Sequence, residues 1–218
     1  MTPAKNHIHA PGPFSVLTVR KGMSTLIFPA EAAPMDGPDD RSGARAAARS
    51  GDLAAFDQLM RRHERMVLVT ALRLLGSLHD AQDASQEVFL KLYRNLAKVE
   101  ASGNLPGWLY RVTVNACHDL RRRRPASVPM QEAGELPSRA DDPAEQSARE
   151  ERRRVLELSL RMLPEKERAA LVLRDLEGLT TGEVARALGS SEATVRSQVS
   201  KARVKVKEFV ERYFRRHL

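Results

Sequence analysis

Apolar positions in this chain recur mostly three and four residues apart, the spacing of amphipathic helices. The clearest instance is DAQDASQEVFLKLY, residues 80–93. There Ala81, Ala84, Val88, Phe89 and Leu92 form a core-facing stripe that Leu96 extends. Asp83, Gln86, Glu87, Leu90 and Arg94 take the other side, which is acidic for so basic a chain and fits a protein partner better than nucleic acid. Upstream, with order beginning near Ser50, the residues Leu53, Phe56, Leu59, Met60, Val67, Ala71, Leu74 and Leu75 keep helical spacing. Gly76 is a stop signal, and Ser77 starts the next helix with Asp80 at the capping-box position. A turn-rich break, Glu100 to Gly107, precedes a third predicted helix from Trp108 to Arg124. Its inward positions are Trp108, Val112, Cys117 and Leu120. Three such helices make a bundle of roughly 75 residues, near the lower limit for folding alone.

The pattern fails in two places. Residues 1–47 carry Pro3, Pro11, Pro13, Pro29, Pro34 and Pro38 and only short apolar runs, and are expected to be a disordered tail. The run Phe14–Val19 is followed by Arg20 and Lys21, the wrong order for a signal peptide. Met23 and Met35 are alternative starts. Residues 125–149, with Pro125, Pro129, Pro137 and Pro143, several acids and few large apolar residues, are expected to be a flexible linker. Two units tethered by it, 48–124 and 150–218, are predicted not to pack rigidly when free.

In the second unit a helix near Glu150 carries Val155, Leu156, Leu158, Leu160 and Leu163, and Pro164 starts another that ends at Gly178. Thr180–Glu183 is a capping box opening a short helix with Val184, Ala185 and Leu188 inward. Gly189 and Ser190 make a turn, and Ser191 caps a longer basic helix with Val195 and Val199 inward. This is the pattern of a helix-turn-helix. Its second helix offers Arg196, read as facing away from Val195 and Val199, then Ser197, Ser200, Lys201 and Arg203. The first turns suit base edges in a major groove and the later charges suit phosphates, with Arg203 among them.

Composition agrees with an all-α protein and narrows the chemistry. Lys plus Arg is 36 against 28 Asp plus Glu, a formal charge of +8, which favours an anionic partner such as nucleic acid. No apolar run is long enough to insert in a membrane. The one cysteine, Cys117, allows no intrachain disulfide or Cys-rich zinc site, and reads as a small buried hydrophobe in a reducing, cytoplasmic compartment. The six histidines show no metal-ligand spacing, and no carboxylate cluster, phosphate-binding loop or nucleophile–base pair points to an enzyme or a cofactor.

Both units resemble one family. GDLAAF (51–56), ALRLLGSLHDAQDASQEVFLKLYRNL (71–96) and GWLYRVTVNACHDLRRRR (107–124) resemble region two of a bacterial RNA polymerase sigma factor of the extracytoplasmic-function group. LPEKERAALVLRDLEGLTTGEVARALGSSEATVRSQVSKAR (163–203) resembles region four, a winged-helix-like DNA-binding domain. The resemblance implies two helical domains, a three-helix bundle and a helix-turn-helix, and a role in transcription initiation within a stress- or signal-responsive regulon. Asp83, Gln86 and Glu87, with Leu90 beside them, match positions that dock on the coiled coil of the polymerase's largest subunit. The break at 100–106 corresponds to the family's minus-ten loop, which takes a flipped-out base. Asn104, Arg111, Asn115 and Arg122 are the implied minus-ten contacts, and Arg174, Arg196, Ser197, Ser200, Lys201 and Arg203 the implied minus-thirty-five contacts. Ser190 and Gln198 depart from the family's pattern, and Gly182 weakens its helix slightly. An anti-sigma factor is a further implied partner, though no residue identifies one. A stand-alone helix-turn-helix regulator is the alternative; it explains 164–208 but not the face at 83–90.

Overall fold

The computed structural model describes residues 53–123 and 143–217, and all of their regular structure is helical. Helix α1 is Leu53–Leu75, α2 is Leu78–Ser102 and α3 is Leu105–Arg123. After the gap come α4, Pro143–Arg161, and α5, Glu165–Leu171, which runs on as a π-helical turn, Val172–Leu176. Helix α6 is Thr181–Leu188 and α7 is Glu192–His217. The tail assigned to 1–47 and the greater part of the linker fall outside the described residues.

The stripe on α2 is the centre of the first bundle. Ala81, Ala84, Val88 and Leu92 have no exposed surface, and Phe89 and Leu96 are buried beside them. They meet Leu59, Val67, Ala71, Leu74 and Leu75 of α1 and Leu105, Leu109, Ala116 and Cys117 of α3. Each fully buried leucine or valine contributes about 1.5–3 kcal/mol of transfer free energy, so this stripe holds the bundle. Gly76, at φ 73°, ends α1 in the left-handed region that a side chain disfavours. The Ser77 hydroxyl then accepts the Asp80 backbone N–H at 3.3 Å.

Four expectations are corrected. Leu53 begins α1 but is 69% exposed, and the buried positions of that helix start at Leu59. The break at 100–107 shrinks to Gly103 and Asn104. Asn104 Oδ1 accepts the Gly107 N–H at 2.9 Å, and Pro106 sits in the first turn of α3, where its missing N–H is harmless. Trp108 and Val112 pack on the core as expected but are only half-buried, while Leu109, Tyr110 and Thr113 lie fully inside. Helix α3 packs on α1 and α2 and also on α6, so two faces of it are covered. Helix α4 starts at Pro143, seven residues before the position expected from Glu150. Proline is favoured at a first helical position, so the last linker proline opens the helix.

The two units were expected not to pack rigidly, and the structure differs. One hydrophobic cluster runs from Leu59 to Val210 through both. In the second unit Val155, Leu160, Ala170, Val172, Leu173 and Val184 pack on Val195, Val199, Ala202, Val206 and Val210 of α7. The π-turn places Val172, Leu173 and Leu176 all inside. Around the shared core lies a set of buried polar contacts that no periodicity announces. Arg168 of α5 donates to the Leu74 carbonyl at 2.8 Å, as does Arg121 of α3. Arg161 donates to the Gly76 carbonyl at 3.2 Å. Three guanidinium groups therefore gather on the C-terminal end of α1, where unpaired carbonyls and the helix dipole favour cations.

Candidate docking face and nucleic-acid interface

On α2 the side opposite the core stripe presents Asp83, Gln86, Glu87 and Leu90 together, as the sequence predicts. Gln86 is exposed, Asp83 and Glu87 are half-exposed, and Leu90 stands 56% exposed among them. Glu87 accepts an ion pair from Lys91 at 2.7 Å, one turn on. Tyr93, 54% exposed, lengthens the same apolar edge and meets Phe56 of α1 edge-on with ring centroids 5.2 Å apart. Tyr93 is absent from the face expected from sequence, although its position one turn after Leu90 places it there. His79 lies 3.5 Å from Asp83 and 3.8 Å from Asp80, a proximity that a search for spaced histidine pairs overlooks.

Helix α3 carries the first candidate nucleic-acid surface. Arg111, Asn115 and Arg122 are all exposed. Separations of four and seven residues put them on one line along the helix, with His118 between them. The row faces away from Leu109, Thr113, Ala116 and Cys117, which anchor the helix. Asn104 is exposed at the start of the same helix, and its side chain caps α3. A Cβ on Gly107 would fall 2.6 Å from Asn104 Nδ2, so the cap depends on glycine there. Cys117 is buried and burial pushes its thiol up to about 12, which leaves it unreactive.

The helix-turn-helix forms as its caps predict. The Thr180 hydroxyl accepts the Glu183 N–H at 3.3 Å, and the Glu183 carboxylate accepts the Thr180 N–H at 2.7 Å. The Thr180 hydroxyl also donates to the Glu183 carboxylate at 2.6 Å, and that bond, with the one from the Thr180 N–H, holds the Glu183 carboxyl below its usual range. Gly189, at φ 60°, makes the turn, and the Ser191 hydroxyl accepts the Thr194 N–H at 3.1 Å. Helix α7 then buries Val195, Val199, Ala202, Val206 and Val210.

The register of that helix corrects the place of Arg196. At about 100° per residue the positions farthest from the buried stripe are Ala193, Ser197, Ser200, Lys201 and Val204, and Arg196 sits at the edge. All six are exposed, and Arg196 donates to Glu192 at 3.1 Å. Arg203 also differs from expectation. Its Nε and Nη2 donate to the two Asp175 oxygens at 2.8 and 2.7 Å, which ties α7 to the π-turn. Lys205 does the same to Glu167 of α5, at 2.8 and 3.0 Å. Arg174 is half-buried on the π-turn itself. Among the described residues no helix is long and apolar enough to cross a membrane.

Comparison with known proteins agrees with this architecture. Residues 59–126 match the Sigma-70 region 2 family and residues 153–206 match Sigma-70, region 4. The chain is 34% identical over 182 residues to the ECF RNA polymerase sigma factor SigE of Mycolicibacterium smegmatis, covering 80% of this chain and 70% of that protein. It is 34% identical over 174 residues to the ECF RNA polymerase sigma factor SigM of Mycobacterium tuberculosis, covering 78% of this chain and 85% of that protein. The solved structure of CnrH in complex with the cytosolic domain of CnrY superposes with a TM-score of 0.59 at 28% identity, covering 79% of this chain and 97% of CnrH. With both regions present in order, on helices that present the expected faces, the chain belongs to the ECF group of the sigma-70 family, the initiation factors that direct RNA polymerase to promoters.

Proposed function

We propose that residues 48–124 bind core RNA polymerase and the minus-ten element, and that residues 150–218 bind the minus-thirty-five element. Asp83, Gln86, Glu87 and Leu90 form the polymerase face, directed at the coiled coil of the largest subunit. Arg111, Asn115 and Arg122 form a row for the minus-ten strand beside Asn104, and Ser197, Ser200, Lys201 and Arg196 enter the minus-thirty-five groove. Arg203 borders that surface, and its first role is to hold α7 and the π-turn in register through Asp175; Arg174, on the π-turn, is a further proposed minus-thirty-five contact. The protein acts in the cytoplasm as a specificity subunit; strand opening is helped by trapping an unpaired base, and the chemistry is the polymerase's.

The observation that carries this reading is the coexistence of two unlike surfaces on one chain. An acid–amide face with an exposed leucine suits a protein, and a basic helix-turn-helix suits DNA. Because CnrH was solved with CnrY, and a second structural neighbour with the anti-sigma factor NepR, an anti-sigma factor is a proposed partner here too. Transcription with purified core enzyme tests the function. A transcript that requires this chain and both promoter elements is expected. Binding to DNA without any affinity for core enzyme would instead make the chain a free-standing regulator.

A further inference from the structure

Glu177 closes the π-turn and points out of its own unit into the other. Its carboxylate accepts Arg73 Nη1 at 2.7 Å and the Tyr110 hydroxyl at 3.2 Å. Arg73 belongs to α1 and Tyr110 to α3, so one acid grips two helices of the first unit. Glu177 is only 9% exposed and Tyr110 3%. Burial, together with the facing carboxylate, pushes the Tyr110 hydroxyl well above its ordinary value, so it stays a donor. An acid this buried is stable only while partnered.

The docked arrangement conflicts with promoter binding. Elements named for positions ten and thirty-five lie on the order of 80 Å apart along a straight duplex. Here α6, the first helix of the helix-turn-helix, packs directly on α3, the minus-ten helix. One conformation cannot place both surfaces on their elements.

We infer that Glu177 is a latch: through Arg73 and Tyr110 it holds the second unit closed on the first, and its release frees the units to span a promoter. This rests on the proposed reading of the two surfaces. The Arg168 and Arg161 bonds to the end of α1 support the closed form from the neighbouring side. Core polymerase, by drawing the two units to separate sites, supplies the free energy of opening.

Energy transfer between dyes tests it in the full-length chain. The dyes go on cysteines placed at Glu64 and Glu208, both exposed and outside the proposed binding rows. Cys117, buried, takes no label. High transfer is expected for the wild-type protein, with a fall when core polymerase is added. Glu177→Gln lowers the closed-to-open ratio by about tenfold, and the swap Arg73→Glu with Glu177→Arg restores high transfer. If Glu177→Gln loses its helical circular-dichroism signal, Tyr110→Phe, which removes one bond and keeps the ring, carries the test with a smaller fall. Transfer unchanged in both folded variants overturns the latch, even where the wild-type chain transcribes normally. Absence of promoter-specific transcription by the wild-type chain would overturn the function instead, and the dye result would still stand or fall on its own.

Discussion

Glu87 is half-exposed on α2 with Lys91 as its neighbour one turn on. An exposed pair of this kind adds only about 0.3–0.5 kcal/mol to the helix. Charge reversal by Glu87→Lys therefore leaves the helical signal intact while placing a cation where the partner expects an acid. Affinity for core polymerase should fall by about tenfold or more, measured by titration beside a circular-dichroism spectrum. Unchanged affinity would remove Glu87 from the docking face. On α7 the corrected register shifts the expectation toward the outermost serines. Ser197→Ala should relax preference at one base of a minus-thirty-five library by about 1 kcal/mol. Arg203→Ala should lower thermal stability, by freeing Asp175, and leave base preference as it was. Full discrimination retained by Ser197→Ala would return the readout to Arg196.

Helix α6 depends on its first turn, since eight residues cannot sustain a helix alone. Thr180→Ala removes the cap and should cost about 1 kcal/mol, seen as a lower melting temperature. The Glu183 carboxyl, held below its usual range, adds a pH signature. Its contribution is complete above the ordinary carboxylate pKa and is lost as pH falls through the lower folded value. Melts from about pH 7 to about pH 3 should show wild type losing a larger increment than Thr180→Ala, which keeps only the backbone N–H bond to Glu183; parallel curves would show that the cap is not coupled to folding. At this scale the sequence was highly legible. The α2 stripe and both caps of the helix-turn-helix follow from spacing and residue type, because those interactions join residues three or four apart. The turn signal over Glu100–Gly107 is longer than the observed break because Asn104, Pro106 and Gly107 are turn formers that also serve a helix start. Arg196 follows Val195 directly in the chain, about 100° around the helix, so it cannot lie opposite the buried stripe that sets direction on α7.

The arrangement of the two units was not legible. It depends on single polar residues, Glu177, Arg168 and Arg73, whose partners lie 67 to 104 positions away in the chain for the long-range bonds they and Arg161 make. Nothing in the local pattern marks a buried arginine as different from a solvated one. The DNA and polymerase rows, by contrast, were legible in part because an exposed face is what remains once the core stripe is assigned. The cluster of arginines on the last turn of α1 also bears on how the protein is made. Arg121 arrives 47 residues after Leu74, but Arg168 arrives 94 residues after it. At ordinary elongation rates the Leu74 carbonyl waits about 5–20 s for its second guanidinium. During that interval the nascent first bundle is complete in its core and bare along the surface that the second unit will cover. Refolding of the full chain should accordingly show a fast phase that forms the bundle and a slower one, absent from a chain stopped after Arg124, in which the late helices dock.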